Sequence, residues 1–169
     1  MQSLLLILSR KRYFAPAWVF ASLNIMIGSW VLFIPRIKES LAIDDGELGV
    51  ALFCSGLGSL PALLFSSKVI KKIGTGKSTL IGIVIFAMLF ILPVWVHTYL
   101  ALCASLFAVG MASCFTDIAM NALVSDIEVE DNIHIMSASH GFFSIGGAIA
   151  ALVAYGIMDY VAFPPIYMF

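Results

Sequence analysis

The chain has 169 residues, of which 62% are apolar and 11% are charged, and its formal net charge is −1. Soluble domains have about 45–50% apolar and about 25% charged residues, so this composition excludes an ordinary water-soluble domain. The charge balance gives no reason to expect nucleic acid as a partner. The lipid bilayer is the solvent that fits, and it is the first partner that we predict.

The predicted elements are membrane-spanning helices, each needing roughly 20 apolar residues to cross a hydrocarbon core about 30 Å thick. Polar segments separate five such stretches, and the predicted fold is therefore an all-α polytopic membrane helix bundle. Residues 1–12 are predicted to form a short cytoplasmic tail, and residues 159–169 the cut-off start of a sixth helix. The predicted spans are residues 13–34, 48–65, 78–96, 99–123 and 135–158.

The basic residues predict the orientation. Only Arg36 and Lys38 lie on one side of the predicted membrane. An excess of Lys and Arg marks the cytoplasmic side, so we predict that the N-terminus and the loop between the second and third spans are cytoplasmic. The basic residues on the predicted cytoplasmic side are Arg10, Lys11, Arg12, Lys68, Lys71, Lys72 and Lys77.

Glycines are dense in the second, fourth and fifth spans. Gly56 and Gly58 form one close pair, and Gly146 and Gly147 form another. Apolar burial gives little association energy between helices in lipid, and close backbone approach at small residues supplies much of the packing. We predict that these three helices contact other helices over long lengths.

Three polar positions stand out inside the spans, where such groups are costly unless they face a bundle interior or a water-filled cavity. Asp117 and Asn121 are four residues apart and share one face of the fourth helix. His140 lies early in the fifth helix at a similar depth, which would allow a hydrogen bond between His140 and either Asp117 or Asn121. Asp117 is then either a protonation or substrate-binding carboxylate, or part of a polar clasp between the two helices.

The sequence offers little for catalysis, metal binding or cofactor binding. The three cysteines lie in apolar runs without a Cys-x-x-Cys pair, and we predict no metal and no cofactor. His140 and Ser144 are one helical turn apart but have no partner motif, so we do not expect an enzyme. Residues 74–79 resemble part of a P-loop. The full signature also requires a glycine five residues before its Gly-Lys-Ser, and this chain has Lys71 at that position, which argues against nucleotide binding.

Four short motifs resemble the N-terminal half of a bacterial major facilitator superfamily permease. They are Ile-Pro-Arg-Ile-Lys at residues 34–38, Asp-Gly-Glu-Leu-Gly at 45–49, Asp-Ile-Ala-Met-Asn at 117–121 and Met-Ser-Ala-Ser-His-Gly at 136–141. The similarity covers roughly residues 15–160, and the nearest branch is that of poorly characterised transporters neighbouring the fucose permeases.

The resemblance implies five helices of a six-helix bundle and a secondary active transporter of the bacterial inner membrane. The expected solute is small, polar and sugar-like, with proton coupling through Asp117. The first and fourth helices line the cavity in this family, which makes Asn24 a candidate for hydrogen bonding to the solute, although an interhelical hydrogen bond fits it as well. Trp30 is a candidate for stacking on a sugar-like ring, and an interfacial or packing role is its alternative. The missing C-terminal half would be a required partner, and we expect the chain to be inactive alone.

The family's cytoplasmic gating loop would fall on residues 67–77. Lys72 and Gly74 match its pattern, and Lys77 keeps the loop basic, but Lys71 replaces the usual Asp. The family's Asp-centred gating contact is therefore not expected. A small membrane scaffold or assembly protein without transport activity is the alternative, and the polar residues inside the spans argue against it.

Overall fold

The computed structural model of the protein describes residues 2–31 and 33–157, and these residues contain helices and no strand. Residues 158–169, with the predicted start of a sixth helix, lie outside the described residues. The helices are α1 (Gln2–Ser9), α2 (Lys11–Val31), α3 (Ile34–Leu41), α4 (Asp45–Ile73), α5 (Thr75–Phe90), α6 (Leu92–Trp95), α7 (Tyr99–Asp131) and α8 (Met136–Ile157).

Five helical segments are long and apolar enough to cross a membrane, which confirms the predicted all-α polytopic bundle. Large apolar side chains point away from the bundle, and Leu64 and Leu100 are 80% and 79% exposed. Such surfaces suit contact with lipid and not with water. The segments are α2, α4, α5 with α6 (Thr75–Trp95), α7, and Met136–Val153 of α8.

Several helices extend beyond the predicted spans, because a helix needs backbone hydrogen bonds and not apolar side chains. α4 begins at Asp45, where the side chains of Asp44 and Glu47 form a capping box with each other's backbone N–H groups. α7 continues through the acidic stretch expected to separate two helices, and it ends where Asn132 takes a left-handed φ of 49°.

The N-terminal residues, expected as a tail, include the helix α1, in which Ile7 is fully buried. The short helix α3 connects α2 to α4 and buries Ile37 against the bundle. We call the two ends of the bundle the α1 end and the α3 end after these helices.

Two pairs of helices carry most of the packing, and α4 with α7 is the first. The hydroxyl of Tyr99 lies 3.0 Å from the carbonyl oxygen of Glu47, and that of Ser59 lies 3.4 Å from the carbonyl oxygen of Gly110. The residue numbers rise together along both helices, so α4 and α7 run in the same direction. A Cβ added to Gly110 would lie 1.9 Å from a backbone oxygen of α4, that of Ser55.

α2 and α8 form the second pair in the same way, also in parallel. A Cβ on Gly146 would lie 2.3 Å from the carbonyl oxygen of Ala21, and one on Gly28 would lie 2.7 Å from the Cβ of Ala150. Both pairs therefore rely on glycine in one helix meeting backbone or a small side chain in the other, as the glycine-rich spans predicted.

A Gly58→Ala variant tests the packing of α4 against α7. The added Cβ would lie 2.0 Å from the carbonyl oxygen of Phe107, whereas a Cβ on Gly56 meets nothing within 4 Å. Because the backbones must separate, we expect Gly58→Ala to cost about 1–3 kcal/mol of stability. The measurement is the thermal unfolding temperature in detergent, with Gly56→Ala as the matched control. Equal unfolding temperatures for the two variants would contradict the close approach.

Candidate functional site

Asp117 and Asn121 lie near the middle of α7 and in contact with each other. The side-chain nitrogen of Asn121 donates to the backbone oxygen of Asp117 at 2.8 Å and to its carboxylate Oδ1 at 3.2 Å. The spacing of four residues predicted this shared face. The amide thus holds the carboxylate in one orientation along the helix surface.

The Asp117 side chain is exposed on the outside of the bundle. In the described part of the chain, Asn121 is its only hydrogen-bond partner. A carboxylate inside a spanning helix does not face hydrocarbon stably, so it requires a water-filled cavity or another helix on this side. The five described spans leave this side of α7 uncovered.

His140 lies in the first turns of α8 and is exposed as well. Its ring meets the edge of the buried Phe20 ring, with centroids 4.9 Å apart. It is close enough to Asp117 for an electrostatic interaction. No hydrogen bond joins it to Asp117 or Asn121 among the residues that the structure describes. We call Asp117, Asn121 and His140 the polar face.

Ser139 is a polar residue of this region that the sequence analysis did not select. It is fully buried beside His140 in the chain, and its hydroxyl has no partner in the described structure. Its place in the motif at residues 136–141 was the one available signal, because a serine hydroxyl gives no hint of burial by itself.

Asn24 does not belong to the polar face. Its side-chain nitrogen donates to the backbone oxygen of Phe143 at 2.9 Å, so it joins α2 to α8. A Cβ on Gly147 would lie 2.5 Å from that nitrogen, which shows how closely the glycine and the amide pack. The interhelical bond considered in the sequence analysis is the contact that the structure contains.

Trp30 is separated from the polar face too. It is 9% exposed and packs with Leu48, Leu102 and Leu106 in an apolar cluster near the α3 end. This environment matches the packing role that the sequence analysis weighed against ring stacking with a solute.

Most of the predicted gating loop, residues 67–77, is helical. Gly74 is the single residue between the end of α4 and the start of α5. Gly74, with a φ of 87°, ends α4 and precedes α5, and glycine adopts this conformation without strain. Lys71 and Lys72 occupy the last turn of α4, where cations interact favourably with the helix dipole. Both side chains, and that of Lys77, are exposed.

Polar contacts hold the α1 end together at the acidic end of α7. Arg12 pairs with Glu130 and also with Asp131, the latter at 3.1 Å between Nε and Oδ2. The hydroxyl of Thr75 donates to Asp126 at 2.9 Å. This pairing was not predicted from the sequence, although the opposite charges of residue 12 and residues 126–131 were the available signal.

The described residues contain no group of three or more His, Cys, Asp or Glu side chains that could hold a metal ion. The polar face offers one carboxylate and one imidazole, which can gain or lose a proton, and one amide, which can only form hydrogen bonds.

Comparison with known proteins identifies the family. Residues 15–169 match the model of the Major Facilitator Superfamily. The chain belongs to this superfamily of membrane transporters. It is 28% identical over 125 residues to an uncharacterised MFS-type transporter of Yersinia pestis, covering 74% of this chain and 33% of that protein.

Two further relatives agree with this assignment. An uncharacterised transporter of Sinorhizobium fredii is 26% identical, covering 78% of this chain and 35% of its own length. The membrane protein MosC of Rhizobium meliloti is 23% identical, and the matched region covers 85% of this chain and 35% of MosC. The chain thus spans about a third of the length of these curated relatives. No solved structure has a significant match to it.

A double-mutant cycle tests the contact between Asn24 and Gly147. Gly147→Ala displaces the Asn24 amide, so we expect it to cost about 0.5–1.5 kcal/mol, the value of one hydrogen bond. Asn24→Ala removes the same bond, so the double variant should lose less unfolding free energy than the sum of the two single losses. Gly141→Ala is the control on the same helix, because a Cβ there meets nothing within 4 Å and its effect should be additive. Additive losses for Asn24 and Gly147 would show that the two residues do not pack together.

Proposed function

We propose that the chain is part of a secondary active transporter for a small polar solute, and that the polar face borders the transport cavity. The observation that carries this proposal is the exposure of Asp117 in the middle of α7, with Asn121 as its one hydrogen-bond partner among the described residues. A buried clasp would place these groups between helices. Here the Asp117 side chain is exposed, and Asn121 is half-buried beside it.

The proposed mechanism requires a second helical bundle opposite the polar face. Transporters of this family work by rocking two bundles around a site near the bilayer midplane. The curated relatives are about three times as long as the matched region, which supports a second bundle in the working protein. We therefore expect the five described spans to bind or transport solute only when that bundle is present.

Asp117 is the proposed proton-carrying group. Protonation removes the charge of Asp117, so solute and proton can compete for the same carboxylate. Asn121 would keep the carboxylate oriented in both states. A sugar-like solute is the proposed cargo, since hydroxyl groups are suited to the carboxylate, amide and imidazole of the polar face. The family resemblance supports this choice as well.

A scaffold or assembly protein is the competing function. A scaffold gains nothing from an exposed carboxylate inside a span, whereas a transporter needs such a group at its cavity. The polar face therefore favours transport.

The transport proposal is tested in a permease that joins this chain to a second bundle, reconstituted in liposomes. The probes are radiolabelled D-glucose, D-galactose and L-fucose. We expect Asp117→Asn to abolish accumulation driven by a proton gradient and to preserve exchange of labelled for unlabelled solute. Asp126→Asn on the same helix is the control, because Asp126 contacts Thr75 away from the polar face.

Two results would contradict the proposal in different ways. Full accumulation by the Asp117→Asn variant would remove the coupling role. Failure of the unmodified permease to take up any of the three sugars would remove the proposed solute class.

We further propose that the protein lies in the bacterial inner membrane with the α1 end in the cytoplasm, as its exposed lysines support. Lys71 lies at the α1 end and Glu39 near the α3 end, and both are exposed. A membrane-impermeant maleimide should label Glu39→Cys in spheroplasts and Lys71→Cys only after the membrane is permeabilised. The background variant should lack Cys54, Cys103 and Cys114. The reverse labelling pattern would contradict the orientation.

A further inference from the structure

An apolar groove of about 260 Å³ lies on the outside of the bundle, where α4, α5 and α7 meet. α4 and α5 each pack against α7 and contact one another much less, which leaves the groove between them. Gly82 brings α5 close to α7, because a Cβ there would lie 3.2 Å from the Phe115 ring. No residue of the polar face lines the groove, so it is a separate site from the proposed transport cavity.

The walls of the groove face the surroundings of the bundle. Phe65 of α4 and Ile81 and Ile85 of α5 are 37%, 44% and 45% exposed. α7 forms the floor, where the ring of Phe115 stacks on that of Phe65 with centroids 6.0 Å apart. Water in such a groove would lack hydrogen-bond partners, so the groove suits hydrocarbon. The other lining residues are Val69, Gly82, Leu89, Met111 and Ala112.

The length of the groove matches one leaflet of a bilayer. Ile81 and Leu89 both line it and lie eight residues apart on α5, which is about 12 Å along the helix axis. One leaflet of a hydrocarbon core about 30 Å thick is roughly 15 Å deep. Since α5 begins at the α1 end, Ile81 lies nearer to that end and Leu89 nearer to the middle of the bundle. The groove therefore follows the leaflet at the α1 end.

Three lysines lie at the α1 end of this groove. Lys68 and Lys72 follow Phe65 by three and seven residues, so they share its face of α4. Lys77 precedes Ile81 by one turn of α5, about 6 Å towards the α1 end. All three side chains are exposed, and none forms an ion pair within the residues that the structure describes. They are free to contact an anion at the end of the groove.

The acidic residues of the α1 end lie elsewhere. Asp126 accepts a hydrogen bond from Thr75, and both residues line a second groove together with Arg12. Thr75 and Lys77 are two residues apart, so their side chains leave α5 in nearly opposite directions, about 200° apart. The last acidic residues of α7 pair with Arg12. The end of the apolar groove is therefore positively charged.

We propose that this groove binds one phospholipid with an anionic headgroup, in the leaflet at the α1 end. One acyl chain lies between α4 and α5, against Phe65 and Phe115. The phosphate group contacts the three lysines, which attract an anionic headgroup more strongly than a zwitterionic one. Apolar length and positive charge together specify this ligand, because a free phosphate does not fill the groove and an uncharged lipid does not use the lysines.

The test titrates the whole chain in detergent with phosphatidylglycerol or with phosphatidylcholine of the same acyl chains. Native mass spectrometry counts the lipids that each chain retains. We expect one phosphatidylglycerol to bind saturably and about tenfold or more tightly than phosphatidylcholine. Glycerol phosphate, which has the phosphate group and no acyl chain, should not bind. Equal retention of the two lipids, or equal binding of glycerol phosphate and phosphatidylglycerol, would overturn the proposal.

A triple variant tests the headgroup contact. Lys68→Gln, Lys72→Gln and Lys77→Gln together should weaken phosphatidylglycerol binding on the order of a hundredfold, at about fivefold for each lysine. The control variant removes the same charge from the same end of the bundle and should retain the bound lipid. Equal losses in the two variants would show attraction by overall charge and no site. The control substitutions are Arg10→Gln, Lys11→Gln and Lys71→Gln, at positions outside the groove lining.

A larger side chain in the groove tests the acyl-chain contact. Ile85→Trp fills part of the groove, so it should weaken phosphatidylglycerol binding several-fold. Val84→Trp is the matched control, because Val84 is 43% exposed on the same helix and does not line the groove. Equal binding by these two variants would overturn the acyl-chain contact. A dimer that retains no phosphatidylglycerol would also overturn the proposal, since a second copy of the chain would then occupy the groove.

Discussion

The structure depends on the close approach of helix backbones within two parallel pairs, α4 with α7 and α2 with α8. In lipid, apolar side chains gain little by leaving the solvent for a neighbouring helix, so packing distance decides which helices associate. Gly58 and Gly110 set this distance in the first pair. Gly146 sets it in the second pair, because a Cβ on this residue would clash with the carbonyl oxygen of Ala21. The hydrogen bond from Asn24 to Phe143 forms only because α2 and α8 are this close.

α7 belongs to the first pair and also contacts α2, α5 and α8. Its two sides have different chemistry. One side packs against α4 and α5, where Gly82 lies against the buried Thr116. The other side carries Asp117 and Asn121 and remains uncovered by the described helices. One helix thus supplies both a packed wall and a polar surface. The proposed transport site depends on α7 being held firmly by its packed side.

The ends of the bundle are held by different interactions from its middle. At the α1 end, Glu128 accepts hydrogen bonds from the first backbone N–H groups of the α8 region, and Arg12 meets the last acidic residues of α7. Exposed ion pairs contribute about 0–1 kcal/mol each, so their main effect is to fix which helix ends are neighbours. The acidic residues 126–131 therefore connect α2, α5 and α8 to α7.

The sequence by itself determined the all-helical membrane fold, the number of spans among the described residues and the shared face of Asp117 and Asn121. These properties follow from local quantities: the length of apolar runs and the helical repeat of 3.6 residues. Tertiary structure decided the rest. Asn24 and Trp30 both lie inside α2. Asn24 bonds to α8, whereas Trp30 lies in an apolar cluster. The role of each residue therefore depends on the helix that faces it. The extension of α7 through its acidic end was decided in the same way, by partners on α2 and α5 that are distant in the chain.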